Sequence, residues 1–130
     1  MHTIDEFLEG FYKIISFEQG ESFKSETFRE LFHPTALLFE KVDGGYKTKT
    51  IGEHIQEFED VIKDYPQLFV KGFHEVQIDY EIIESETCYL ISSAYKKTYW
   101  KNGQEVIEYG KNNMTIIGDG DKFKITCIIW

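Results

Sequence analysis

Two prolines, two cysteines and no long apolar run: the scarcities of this 130-residue chain remove several classes of protein. With only Pro34 and Pro66, it is neither a collagen-like repeat nor a proline-rich linker. Cys88 and Cys127 are too far apart for a metal or redox motif and too few for a disulfide framework. They read as reduced thiols inside strands of a cytoplasmic protein. No apolar stretch approaches the roughly 18 residues that span a bilayer. The segment Met1 to Glu6 has no basic region followed by an apolar one, so neither a membrane segment nor a signal peptide is expected.

Basic charge is also scarce. Fourteen Lys and Arg stand against 23 Asp and Glu, for a net charge of −9, and such a surface repels a phosphate backbone. The most basic stretch, Tyr95 to Lys101, interleaves rings with three lysines and reads as a solvated strand face. No nucleic-acid partner is expected. Ser-His-Asp, Cys-His and glycine-rich phosphate motifs are missing. The histidines (His2, His33, His54, His74) are scattered, and Asp119 and Asp121 flank Gly120 as a hairpin turn rather than a calcium loop. No metal and no cofactor are implied.

What remains is a globular composition, 42% hydrophobic and 16% aromatic, sufficient for one domain over residues 1–130. The aromatic content suits either dense core packing or a cavity lined with rings. Thr3-x-x-Glu6 and Thr50-x-x-Glu53 are capping boxes. They open helices carrying Phe7, Leu8, Phe11, Tyr12, Ile14 and Ile15, and Ile51, Ile55, Phe58, Ile62 and Tyr65, at helical spacing. A short helix from Ser25 through Phe32 is expected to stop at Pro34. Strands follow at 36–40 and 46–50, joined by Asp43-Gly44-Gly45.

From Lys71 the period changes to two. His74, Val76, Ile78, Tyr80 and Ile82 alternate with polar residues, which predicts a strand with that apolar face buried. His74 then reads as a core or rim histidine. Long strands follow at 88–101, 104–117 and 122–130, with Asn102-Gly103 as the strongest hairpin signal and Gly110 as a bulge candidate. Helices first and a meander of strands second define an α+β fold, a curved mixed or antiparallel sheet packed on three N-terminal helices.

The order of these elements, with "LFHPTA" at 31–36 and "FKI" at 123–125, resembles the nuclear transport factor 2-like superfamily, in its bacterial SnoaL-like and ketosteroid isomerase-like branch. Phe123 stands where that family usually has Trp. The resemblance implies a cystatin-like cone, open at one end, with a mostly apolar pocket for a small hydrophobic molecule. It also implies a homodimer formed through the outer sheet face; if the chain is an association module, the alternating Cys88, Leu90, Ser92 and Ala94 face is its candidate contact.

Strand alternation sets Ala36, Leu38 and Glu40 on one face, which by resemblance points into the cone. Glu40 then falls where the isomerases carry their general base, and burial beside Leu38 disfavours its charged form. Tyr12 falls near the family's oxyanion-stabilising Tyr, although the loop 19–24 is longer here. Asn112 replaces the family's protonated Asp; an amide still donates a hydrogen bond but supplies no acidic proton. Tyr95, Lys97 and Tyr99 share one strand face of undetermined parity; if it is the inner face, Lys97 pairs with Glu40.

The candidate site is therefore Glu40 and Tyr12 as catalytic groups, with Leu38, Phe58, Tyr95, Tyr99, Asn112, Met114 and Trp130 lining the ligand pocket. The expected function is a small-molecule-binding domain. The alternatives are a cofactor-independent isomerase, dehydratase or cyclase and a dimeric association module.

Overall fold

The computed structural model describes residues 3–130. Helix α1 spans Ile4–Ile15, α2 Ser25–Arg29 and α3 Ile51–Asp64; strands β1 to β6 span Phe32–Val42, Gly45–Thr50, His74–Glu84, Tyr89–Lys101, Gln104–Asp119 and Lys122–Ile129. The six strands form one open sheet in the order β2-β1-β6-β5-β4-β3. Only β1 and β6 run parallel; every other neighbouring pair is antiparallel. Helices and concave sheet thus make the α+β cone expected from the order of elements.

Both capping boxes form. Thr3 and Thr50 accept from the backbone N–H three residues on, and Glu6 and Glu53 reach back. Each box satisfies donors that a helix start leaves open. Asn102 and Gly103 both take positive φ, +53° and +73°, the left-handed pair that lets β4 turn directly into β5. Leu8, Phe11, Tyr12 and Ile15 of α1 bury against Ile91, Met114, Ile116, Ile125 and Ile128 of the sheet. Phe28, Phe32 and Ile55 close the core from the other helices.

Three local expectations are corrected. Helix α2 ends at Arg29, and Phe32, His33 and Pro34 already belong to β1. Proline drives the residue before it toward extended backbone, so the break spreads backward from Pro34. His33 accordingly bonds Thr35 on the strand.

Gly110 is not a bulge, because the β4–β5 register runs unbroken through Tyr95↔Gly110. Shifts occur instead between Phe32 and Leu37, Gln77 and Asp79, and Thr115 and Ile116. The Tyr95 ring lies over Gly110, so that a Cβ there would sit 2.6 Å from the hydroxyl oxygen and 2.7 Å from Cζ.

Strand β3 has the opposite parity to the one its hydrophobicity suggests. Val76 and Ile78 are 59% and 57% exposed, whereas Glu75 and Gln77 turn toward the interior. His74 is half-buried and meets the Glu18 carboxylate at 3.1 Å instead of joining an apolar core. His2 lies outside the described residues.

Gly110→Ala is expected to displace the Tyr95 ring and cost about 1–3 kcal/mol, the usual cost of overpacking. A thermal or urea melt at the wild-type midpoint would contradict this close approach.

Candidate functional site

Between the helices and the concave sheet lies a cavity of about 390 Å³. Its apolar wall is mostly aromatic, with Phe11, Phe28, Phe58, Phe69, Phe73 and Trp130 among its members. Phe17, Phe58, Phe69 and Phe73 pack ring to ring at centroid distances of 5.3–6.5 Å. Helix α3 contributes His54, Glu57, Phe58 and Val61 at intervals of three and four, one face of the helix. Trp130 is fixed by backbone bonds to Phe39 and Lys41 of β1.

Two polar groups interrupt this wall, one toward each edge of the sheet. On the β1–β2 side, Lys49 is only 5% exposed and contacts Glu40 at 2.7 Å and Glu57 at 2.6 Å. Lys47 extends the network to Glu57 at 2.7 Å. The Lys49 ammonium also lies 5.3 Å from the centre of the Trp130 ring. Burial works against its charge, but hydrogen bonds and attraction from Glu40 and Glu57 outweigh it and raise its pKa. Lys47 and Lys49 in turn hold Glu57 below the usual carboxylate range.

His54 stands beside this network, its ring 5.1 Å from Trp130. Burial, and then the charge of Lys49, lowers its pKa to about 4, so it is neutral at physiological pH. Its Nδ1 is buried without a hydrogen-bond partner among the described residues.

On the β3–β5 side lie Glu75, Tyr95, Lys97, Tyr99 and Asn112, all lining the cavity. The face shared by Tyr95, Lys97 and Tyr99 is therefore the inner one. Lys97 does not pair with Glu40; it reaches Glu108 on β5 at 3.2 Å, because Lys97 and Glu108 are cross-strand partners.

Beneath them runs a directional chain of hydrogen bonds. Asn112 donates to the Tyr12 hydroxyl (3.1 Å), Tyr12 to Ser93 (2.6 Å), and Ser93 to Gln77 (2.6 Å). The Ser93 proton is committed to Gln77, so Tyr12 must be the donor in the middle bond. Burial raises the Tyr12 pKa against these bonds.

Of the residues singled out from sequence, Glu40, Leu38, Phe58, Tyr95, Tyr99, Asn112 and Trp130 line the cavity. Tyr12 and Met114 do not. Tyr12 spends its proton on Ser93 below the cavity wall, and Met114 is 3% exposed in the packed layer Ile91↔Met114↔Ile128, where side chains fill the cone.

Glu75 was not expected at all. Among the described residues nothing forms a hydrogen bond or ion pair with its carboxyl group, and the same holds for the Tyr95 hydroxyl. Burial pushes the Glu75 pKa up to about 7, with Lys97 opposing, and burial together with Glu75 pushes Tyr95 up to about 12. An unpaired carboxyl in an apolar wall can both accept and return a proton near neutral pH. The only nearby mark in the sequence is Gly72, at φ +84° two residues before the strand, and it does not say which face of β3 turns inward. Among the described residues no group of three His, Cys, Asp or Glu is placed to hold a metal, and no helix is long and apolar enough to cross a membrane.

No protein-family model and no curated protein matches the chain. Solved structures do. A candidate scytalone dehydratase from Novosphingobium aromaticivorans DSM 12444 superposes with a TM-score of 0.74 at 15% identity, covering 97% of this chain and 78% of that one. The β subunit of the benzoate 1,2-dioxygenase of Burkholderia mallei ATCC 23344 gives 0.74 at 11% identity, over 99% and 91%. A candidate ketosteroid isomerase from Shewanella frigidimarina NCIMB 400 gives 0.61 at 16% identity, over 82% and 81%. The chain has the nuclear transport factor 2-like, cystatin-like fold that these proteins share.

A carboxyl with a raised folded-state pKa binds its proton more tightly in the native than in the unfolded chain. Its stabilising contribution is full below the unfolded value and is lost as pH rises through about 7. Glu75→Gln is therefore expected to be more stable than wild type at pH 8, by on the order of 1–3 kcal/mol, and to lose that advantage below about pH 5. Urea titrations at the two pH values check the sign; an advantage at pH 5 rather than at pH 8 would contradict it.

Proposed function

We propose that this chain is a small-molecule-binding domain that takes an apolar ligand into its aromatic cavity. The supporting observation is a hollow of about 390 Å³ walled by rings, large enough for a small hydrophobic molecule. The polar end of the ligand meets Asn112, whose second amide hydrogen is not used by Tyr12, and the Tyr95 hydroxyl. A neutral apolar fluorophore such as N-phenyl-1-naphthylamine should bind saturably at one site per chain. Val61→Trp, at a half-exposed position of the wall, should weaken that binding at least about tenfold, equivalent to about 1.4 kcal/mol. Non-saturating uptake, or binding indifferent to Val61→Trp, would remove the proposal.

A second reading, a cofactor-independent isomerase, dehydratase or cyclase, is favoured by the carboxyl and amide groups that face the cavity. In the version built on Glu40, the substrate must first displace Lys49, because the ion pair at 2.7 Å holds the carboxylate. Tyr12 then supports Asn112 as oxyanion donor rather than touching substrate.

The proposed partners are the hydrophobic ligand and a second copy of the chain. Val76, Ile78, Leu90, Ile107 and Tyr109 form an exposed apolar face on β3, β4 and β5, which suits a homodimer. Unpaired Cys88 and Cys127 suit a reducing cytoplasm. Light scattering is expected to give a dimer that Ile78→Lys converts to monomer; a wild-type monomer at tens of micromolar would end the dimer proposal.

A further inference from the structure

Three charged residues lie in one row across three strands. Glu75 on β3 is the direct cross-strand partner of Lys97 on β4, and Lys97 is the direct partner of Glu108 on β5. Direct partners in an antiparallel pair project from the same face, so the ammonium stands between two carboxylates. It is paired with the outer one, Glu108, at 3.2 Å. Glu108 is about half exposed and Lys97 less so, whereas Glu75 lines the cavity with no pairing partner among the described residues.

We propose that Glu75 is the proton-transfer group of this cavity, acting on an apolar carbon acid, and that Glu108 is a positioning residue that keeps Lys97 away from it. The inference rests on the binding reading above, since the substrate must enter the same hollow.

The physical logic is a competition for one cation. A lysine paired directly with Glu75 would stabilise the carboxylate and blunt it as a base. Glu108 draws that lysine outward and leaves an unpaired carboxyl among rings, where burial favours the neutral form. On the cavity side the groups near Glu75 are the phenols of Tyr12, Tyr95 and Tyr99 and the amide of Asn112, none of which carries charge at neutral pH. The charged residues of the neighbouring hollow, Lys13, Lys24, Glu18 and His74 among them, form no ion pair with it, and His74 is held by Glu18. Lys49 is committed to Glu40 and Glu57. Glu75 thus has a reason to take a proton, and the one cation acting on it, Lys97, is drawn toward Glu108.

A carbon acid that needs only a base tests this directly. With 5-nitrobenzisoxazole, Glu75 takes the proton from C3 and an O–H bond forms as the C–H bond breaks. The C–H electron pair becomes part of the new nitrile, the N–O bond breaks, and its electrons leave on the phenolate oxygen. No oxidant, metal or second reactant enters.

Saturable quenching of tryptophan fluorescence reports probe binding separately from turnover. Expected are turnover with an inflection near pH 7, a loss of at least about a hundredfold in Glu75→Gln with binding retained, and partial rescue in Glu75→Asp. Glu81→Gln, at an exposed carboxylate of the same strand outside the cavity lining, should keep the activity. In parallel, carbon-13 titration of labelled glutamate carboxyls, with Glu75 assigned by its loss in Glu75→Gln, follows the group without any substrate. Its midpoint should fall in Glu108→Gln, which frees Lys97, and rise in Lys97→Met.

Binding without Glu75-dependent turnover overturns the assignment while leaving the binding reading intact. A midpoint unmoved by Glu108→Gln overturns the positioning role. Absence of saturable binding removes the binding reading and this inference together.

Discussion

The site depends on how the first residues of β3 are tied to the end of α1. Ser16 accepts from the Glu75 backbone N–H at 2.9 Å, and its hydroxyl faces the Glu75 carbonyl at 3.2 Å and the Tyr12 carbonyl at 2.8 Å. Beside them, Phe17 and Phe73 exchange two backbone bonds at 2.8 Å. These bonds fix which residues of β3 look inward. A slip of one position would put every side chain of the strand on the opposite face. It would bury Val76 and Ile78, each worth roughly 1.5–3 kcal/mol of hydrophobic stabilisation, and would turn Glu75 to water. The native arrangement forgoes that gain and keeps an enclosed carboxyl, a local conflict of the kind that accompanies binding and catalytic sites.

The two polar groups in the wall solve the problem of buried charge differently. On the β1–β2 side the charges are compensated on the spot, with Lys49 held by two carboxylates and a ring face. Such a cluster is internally satisfied and has little left to offer a ligand. On the β3–β5 side compensation is incomplete. Lys97 is engaged outward, Tyr12 and Ser93 are engaged downward, and Glu75, the Tyr95 hydroxyl and one Asn112 hydrogen are left facing the hollow. Unsatisfied capacity of this sort is what a cavity has to offer a ligand.

Much of the architecture was legible in the residues. Both capping boxes, the Asn102-Gly103 turn and the shared face of Ala36, Leu38 and Glu40 follow from local rules that the tertiary structure leaves in place, while the inward direction of that face was implied by the resemblance. The site was legible only in part, for two reasons. Hydrophobicity assigns the faces of a strand correctly when one face meets the core and the other water. On β3 the inner face meets a cavity and the outer face is apolar, so the rule inverts at Glu75. Partner choice is likewise set by register: Glu40 finds Lys49 rather than Lys97 because β2 folds back beside β1. Neither Tyr12's engagement with Ser93, 81 positions away, nor the packing of Met114 can be read from spacing.

The single parallel pairing in the sheet has a kinetic meaning. β6 lies between β1 and β5 and is the only strand joining the β1–β2 hairpin to the β3–β5 meander. β6 follows β5 through a two-residue turn, so that pairing is local, whereas the parallel β1–β6 contact joins segments from opposite ends of the chain. Closing so long a loop carries an entropic cost that the hairpins do not, and until it closes the flank of β1 stands open. The hollow comes into existence only with that one distant contact.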